Sequence, residues 1–148
     1  MMPRSPGRLW RACGGTTPIE FALVAPLFLA LIFGCIEYGR LLWTEQALQE
    51  TAMAAARCMA ILQTACATSG NYYSASNTQS YVQTLGDQWG VTIPSSGITL
   101  TPNTTCGGVT GFSQVSIAST FTSPVSAFVH ISASGISLTA TACYPNNP

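Results

Sequence analysis

The amino-acid sequence predicts an α+β protein in which one long N-terminal helix packs against a small antiparallel β-sheet. Three features of the sequence predict this class. An apolar run fills the first half of the helix, apolar residues recur at helical spacing in its second half, and short alternating segments rich in Ser and Thr follow. Val, Ile, Phe and Tyr recur among these hydroxyl residues, which favours solvated strands over disorder.

Composition divides the chain into three segments. Residues 1–15 form a basic leader, residues 16–62 the long helix, and residues 63–148 an α+β domain. Charged residues make up 7% of the chain and lysine is absent, whereas globular proteins average about 25% charged residues. The chain therefore has no basic stripe of the kind that nucleic-acid binding requires, and we expect no nucleic-acid partner.

Residues 18–36 are predicted to span a membrane. These 19 residues contain a single charge, that of Glu20, and as a helix they would extend about 28 Å, close to the thickness of a hydrocarbon core. Pro26 should bend or loosen the helix. Because three arginines precede the run, we expect the N-terminus to be cytoplasmic and residues 63–148 to be exported.

A cleaved secretory signal peptide is the alternative for this region. The 16 uncharged residues from Phe21 to Ile36 exceed the roughly 7–15 residues of a typical apolar signal core, and no small-x-small cleavage site follows. The next residues continue the helical pattern instead. These observations favour a retained membrane helix.

Glu20 stands at the start of the apolar run, where a charge is costly. Thr17, Pro18 and Glu20 match a capping box with proline at the first helical position. A carboxylate in the first turn also suits the positive end of the helix dipole. Local capping thus explains a glutamate here, although it does not explain the two glycines that precede it.

The stretch "GGTTPIEF" resembles the processing motif of type IV prepilins. That resemblance implies cleavage by a prepilin peptidase between Gly15 and Thr16, which would put Glu20 and Phe21 at positions five and six of the mature chain. The new amine at Thr16 could then neutralise the Glu20 carboxylate, within one subunit or between neighbours. Such a pair would set the vertical register of assembling helices, and it is compatible with capping before assembly.

A second resemblance, to a more specific family, covers about 45 residues. The chain resembles the TadE-like family of tight-adherence (Flp) pilus systems at the following residues: Glu20-Phe21-Ala22, Pro26, Gly34, Glu37-Tyr38-Gly39-Arg40 and Ala55-Ala56-Arg57. It implies a minor pilin or pseudopilin of the bacterial inner membrane that acts in pilus assembly and adhesion. Cys35 is not explained by it.

The same resemblance implies a set of partners and no cofactor. The partners are a prepilin peptidase, other pilins of the Flp/Tad system, an inner-membrane assembly platform and membrane lipid. A mature chain of 133 residues (148 minus 15) is too long for the major Flp pilin and too short for relatives with a von Willebrand-type module, which favours TadE or TadF. The alternative is a single-pass envelope protein whose exported domain binds a ligand or a surface.

The block Glu37-Tyr38-Gly39-Arg40 falls where the helix is predicted to leave the bilayer. Glu37 and Arg40 are three residues apart and can pair on one helix face. Tyr38 and Trp43 are placed either as interfacial anchors or as a contact with another pilin, and both interpretations stay open. A stripe at helical spacing follows, on which the sheet is expected to pack: Leu41, Leu48, Ala52, Ala55 and Met59. Gln46, Glu50 and Arg57 fall on the polar side of the helix.

The exported domain is predicted to contain one further helix and four strands. The helix falls within residues 77–90 and ends at Gly86 or Gly90. The strands cover 91–94, 97–102, 113–121 and 135–144, with a connection from Pro124 to Ile131. Period-two patterns in the last two strands place two sets of residues on the faces that cover the helix: Val115, Ile117 and Phe121, and Ile136, Leu138, Ala140, Ala142 and Tyr144.

The predicted topology sorts the six cysteines. Cys13 lies in the leader and Cys35 in the bilayer. Four cysteines remain outside, and an even number in an oxidising compartment suggests two disulfides. Three pairings are possible, of which we prefer Cys58–Cys66 and Cys106–Cys143.

Neither catalysis nor metal binding is predicted. The exported segment contains one aspartate, one histidine (His130), no lysine and no G-x-S-x-G motif. No CxxC pair occurs that would support a zinc site. We therefore expect no catalytic residue, no metal and no cofactor, and we expect His130 to be a loop or strand-end residue.

Overall fold

The computed structural model describes residues 17–123 and 135–146. Two helices are followed by three strands: α1 (Thr17–Ala60), α2 (Ala75–Gln88), β1 (Ile98–Cys106), β2 (Val109–Phe121) and β3 (Ile136–Pro145). The strands form one antiparallel sheet in the order β1-β2-β3. The predicted α+β class, a long N-terminal helix with a small antiparallel sheet, is confirmed.

The chain forms two compact units, of which the first ends at Tyr38. Within it, α1 continues through Pro26 and its large apolar side chains are exposed to solvent. Within the described residues, α1 is long and apolar enough to cross a membrane. An apolar surface of this length without protein cover is compatible with a single-pass membrane protein.

The second unit begins at Gly39 and contains the hydrophobic core. Four of the five residues in the predicted stripe on α1 are buried, while Leu41 is half-buried. The buried apolar residues form one cluster that joins α1 to α2 and to all three strands: Ala47, Leu48, Ala52, Ala55, Ala56, Met59, Val82, Val91, Ile93, Ile98, Val115, Ile117, Ala140 and Ala142. Full burial of a side chain such as Leu48 contributes about 1.5–3 kcal/mol, so this cluster holds the helix to the sheet.

Period-two alternation decides which face of the sheet meets the helix. Val115 and Ile117 of β2 are fully buried, and they pair with Leu100 and Ile98 of β1 on the same face. The β1–β2 hairpin turns through Gly107 and Gly108, whose φ angles of 58° and 85° are both positive, as a two-residue type I′ turn requires. The two glycines join β1 and β2 directly, so both strands extend further toward the turn than the predicted ranges 97–102 and 113–121.

The predicted strand at 91–94 is wrong. Val91 and Ile93 are buried, but their segment joins no strand and its backbone finds other partners. Val91 N donates to the Gly86 carbonyl at 2.9 Å, and the Gln83 amide donates to the Ile93 carbonyl at 3.3 Å. An added Cβ on Gly86 would lie 2.7 Å from the Val91 carbonyl oxygen. The segment therefore packs on α2, and Pro94 has no N–H with which to extend a ladder.

Two further predictions need adjustment. Helix α2 runs from Ala75 to Gln88, so it starts two residues before the predicted 77 and ends between the two predicted ends, Gly86 and Gly90. It starts earlier because the Ser74 side chain caps it by accepting a hydrogen bond from Asn77 N at 3.3 Å. Ile136, predicted to lie on the covered face of the sheet, is 52% exposed, because it is the first residue of β3 and lies at the margin of the core. The predicted connection from Pro124 to Ile131 lies outside the described residues.

Candidate functional site

The predicted processing region lies at the start of α1. Gly15, Thr16 and the side chain of Thr17 are outside the described residues, so the predicted cleavage site and capping box stay predictions. Glu20 lies in the first turn of α1 and is exposed, as is Phe21. The arrangement puts a carboxylate on the same open helix surface as the apolar side chains that follow it. In a bilayer, such a carboxylate needs a charged or hydrogen-bonding partner.

The block Glu37-Tyr38-Gly39-Arg40 lies on α1 where one compact unit ends and the next begins. Glu37 is half-buried, whereas Tyr38 is 64% exposed. The Arg40 guanidinium carbon lies 5.7 Å from the centre of the Phe121 ring, within the roughly 6 Å at which a cation attracts an aromatic face. This contact ties α1 to the last residue of β2. The predicted pairing of Glu37 with Arg40 stays a prediction.

Trp43 and Trp89 form an exposed aromatic pair that the sequence did not predict. Their ring centroids are 5.7 Å apart in an edge-on arrangement, and the Trp43 indole N–H donates to the Trp89 carbonyl at 3.3 Å. Trp43 is 57% exposed and Trp89 41%. A groove on the same side of α1 is lined by Gly39, Leu42, Trp43, Glu45, Gln46 and Gln49.

The contacts of α2 show that it runs antiparallel to the second half of α1. At the C-terminal end of α2, Trp89 touches Trp43. At its N-terminal end, the Asn77 amide donates to the Ala67 carbonyl at 2.8 Å, one residue beyond the disulfide that joins Cys66 to Cys58. The Trp43–Trp89 pair and the first disulfide therefore lie at opposite ends of the paired helices in the second compact unit.

Two disulfides are present, Cys58–Cys66 and Cys106–Cys143. This is the pairing preferred from the sequence. The first closes a short loop after α1, and both its cysteines are fully buried. The second joins the end of β1 to β3, two strands that each pair with β2. Cys35 is exposed as a free thiol.

The polar side of α1 is solvated, as predicted. Gln46, Glu50 and Arg57 are all exposed, and the Gln46 amide donates to the Glu50 carboxylate at 3.1 Å. Across residues 17–123 and 135–146, no cluster of three or more His, Cys, Asp or Glu side chains could hold a metal ion. His130 lies outside those ranges.

Comparison with known proteins bears on the N-terminal half of the chain. Residues 15–57 match the family model described as TadE-like protein. These residues are a TadE-like segment. The resemblance drawn from the sequence is thereby confirmed, and the segment begins at Gly15 and ends at Arg57, beside the first disulfide. No curated protein and no solved structure matches the chain.

The TadE-like segment suggests a protein associated with the Tad pilus. It includes the exposed Glu20, the boundary block, Trp43 and most of the stripe that packs against the sheet. The match ends before α2, so Trp89 and the whole sheet lie beyond it. Residues that contact the segment from outside, such as Trp89 and Phe121, thus lie in the second compact unit beyond residue 57.

Proposed function

We propose that this protein is a minor pilin or pseudopilin of a tight-adherence (Flp) pilus. In this proposal a prepilin peptidase cuts after Gly15, the TadE-like segment remains in the bacterial inner membrane, and the exported domain acts in pilus assembly and adhesion. The observation that carries the proposal is the TadE-like match from residue 15 to residue 57. It starts at the glycine of the proposed cut.

The free-energy cost of placing the Glu20 carboxylate in a membrane supports this role. A carboxylate at membrane depth costs about 2.5 kcal/mol or more on insertion scales. Cleavage after Gly15 would create a positive amine at Thr16, four residues before Glu20 in the chain. That amine can pair with the Glu20 carboxylate of its own chain or of a neighbour. A pair between neighbours forms only when the two helices stand at the correct height, so it favours one assembly register.

The cysteines and arginines support the proposed topology. The second compact unit contains two disulfides, and disulfides persist in oxidising compartments such as the periplasm. Arg4, Arg8 and Arg11 precede the apolar run, and positively charged flanks stay in the cytoplasm. Both features agree with a cytoplasmic N-terminus and a periplasmic or extracellular C-terminal domain.

The proposed role is structural rather than enzymatic. Its partners are the prepilin peptidase, other Flp/Tad pilins and the inner-membrane assembly platform. A single-pass envelope protein with an exported ligand- or surface-binding domain is the competing function. In that alternative, the only role of Glu20 is to cap the helix locally. It therefore predicts no defect in pilus assembly when Glu20 is replaced.

Replacement of Glu20 tests the proposal. We expect Glu20→Ala to be cleaved normally but to block assembly, measured by pilus counts on cells alongside immunoblots of the processed chain. Glu20→Gln should also fail, because it keeps the size and the capping oxygen but lacks the charge. Glu50→Ala is the matched control, since it removes an exposed α1 carboxylate outside the apolar run. Normal piliation with Glu20→Ala would refute the register argument.

A further inference from the structure

Among the residues that the structure describes, Trp89 is the largest exposed side chain that the proposed function leaves without a role. It lies outside the TadE-like segment, and α2 carries it to Trp43, 46 residues earlier in the chain. The Trp43 indole N–H is occupied by the Trp89 carbonyl. The Trp89 indole N–H makes no hydrogen bond within the described residues. An exposed indole ring with an open N–H suits a surface that is apolar on one side and wet on the other.

The position of Trp43 along α1 indicates that the surface in contact with the two indole rings is the membrane interface. Helix α1 continues from the apolar run to Trp43, whose Cα follows Ile36 by seven residues, or about 10 Å at the helical rise. A helical side chain covers the turn N-terminal to its own Cα, which puts the Trp43 ring near the level of Gly39, about 5 Å beyond Ile36. The interfacial layer on each side of a hydrocarbon core is about 5–7 Å thick.

We propose that Trp43 and Trp89 together insert into the headgroup layer of the membrane that α1 crosses. Trp89 thereby acts as a second anchor, which sets the exported domain with the C-terminal end of α2 against the lipid. Because α2 runs antiparallel to α1, the Cys58–Cys66 end of the domain faces away from the bilayer. Tryptophan is enriched at membrane interfaces for the same amphipathic reason. This inference rests on the membrane anchor of the proposed function but not on cleavage or pilus assembly.

Tryptophan fluorescence in lipid vesicles tests the proposal, because the chain contains only three tryptophans. The full chain carrying Trp10→Phe is combined with either Trp43→Phe or Trp89→Phe, so that one indole reports at a time. Each protein is reconstituted into phosphatidylcholine vesicles with bromine either near the headgroup end of the acyl chains or near their tips. A matched control places the reporter at Tyr72→Trp with all three native tryptophans replaced, since Tyr72 is 75% exposed at the opposite end of α2.

We expect both native indoles to lose fluorescence to the shallow bromines and much less to the deep ones. Both should be shielded from iodide added to the water, whereas the Tyr72→Trp reporter should be quenched by iodide and by neither lipid. Quenching of Trp43 without Trp89 would overturn the second anchor while leaving the membrane helix intact. Shielding of Trp89 from iodide without quenching by lipid would indicate a protein contact and also overturn the inference. Failure of the protein to float with the vesicles would overturn the inference and the membrane anchor together.

Discussion

The disulfide between Cys106 and Cys143 should dominate the stability of the sheet. It joins the end of β1 to β3, although the two strands are not neighbours, and it closes a loop with a sequence separation of 37. Cys106 is half-buried and Cys143 exposed, so replacing both with alanine removes little packing. The loss should therefore come mainly from the larger conformational freedom of the unfolded chain.

The loop length sets the expected magnitude. Closing a loop of this size restricts the unfolded chain by about 3.8 kcal/mol at 25 °C in the chain-entropy treatment. With a urea slope of about 2 kcal/mol per molar, the unfolding midpoint of C106A/C143A should fall by about 2 M. The measurement is urea unfolding of the full chain carrying Trp10→Phe, in detergent micelles, followed by the fluorescence of Trp43 and Trp89.

Cys35→Ala is the control for this comparison, because Cys35 is a free thiol outside both disulfides. It should leave the midpoint nearly unchanged. A loss below about 1 kcal/mol in C106A/C143A would contradict the reasoning, since the removed cross-link would then constrain the unfolded chain far less than its loop length requires.

Three further results are expected. Thr51→Val should keep or raise the free energy of unfolding, because the buried Thr51 hydroxyl has no hydrogen-bond partner among residues 17–123 and 135–146. Thr78→Val should lower it by about 0.5–1.5 kcal/mol, because the equally buried Thr78 hydroxyl donates to the Ser74 carbonyl at 2.8 Å. Urea unfolding of both variants measures the two effects. Burial raises the pKa of Tyr73 above its ordinary 10.0, so this group favours folding below that pH and its contribution is lost as pH rises through the folded pKa; Tyr73→Phe should flatten the alkaline loss of stability, and an unchanged slope would contradict this assignment. His130→Ala should leave pilus numbers on cells unchanged, and their loss would count against a purely structural role.

Most of the correct predictions about burial came from the helical spacing of apolar residues in α1. Leu48, Ala52 and Ala55 recur at helical spacing, and burial follows that spacing because one face of a helix meets the core. The length of the apolar run likewise predicted the open first part of α1. Both signals are local, so a single sequence contains them in full.

The predictions were wrong or incomplete where contacts outside the local sequence pattern determine the structure. Val91 and Ile93 alternate like a strand, yet Gly86 lets their segment approach α2 closely and that contact replaces a ladder. The contact between Trp43 and Trp89 spans 46 residues, and no local pattern signals it. The sequence does signal the turn at Gly107 and Gly108, since two adjacent glycines between segments that contain β-branched residues favour a tight hairpin.

The N-terminus of the mature protein tests the central claim most directly. The protein should be extracted from membranes of the native host, and its intact mass and N-terminal peptide measured by mass spectrometry, beside a strain that lacks the prepilin peptidase. The proposal predicts a chain that begins at Thr16 in the first strain and retains residues 1–15 in the second. A chain that keeps its leader in both strains, or one cut after the apolar run, would contradict the assignment as a processed pilin.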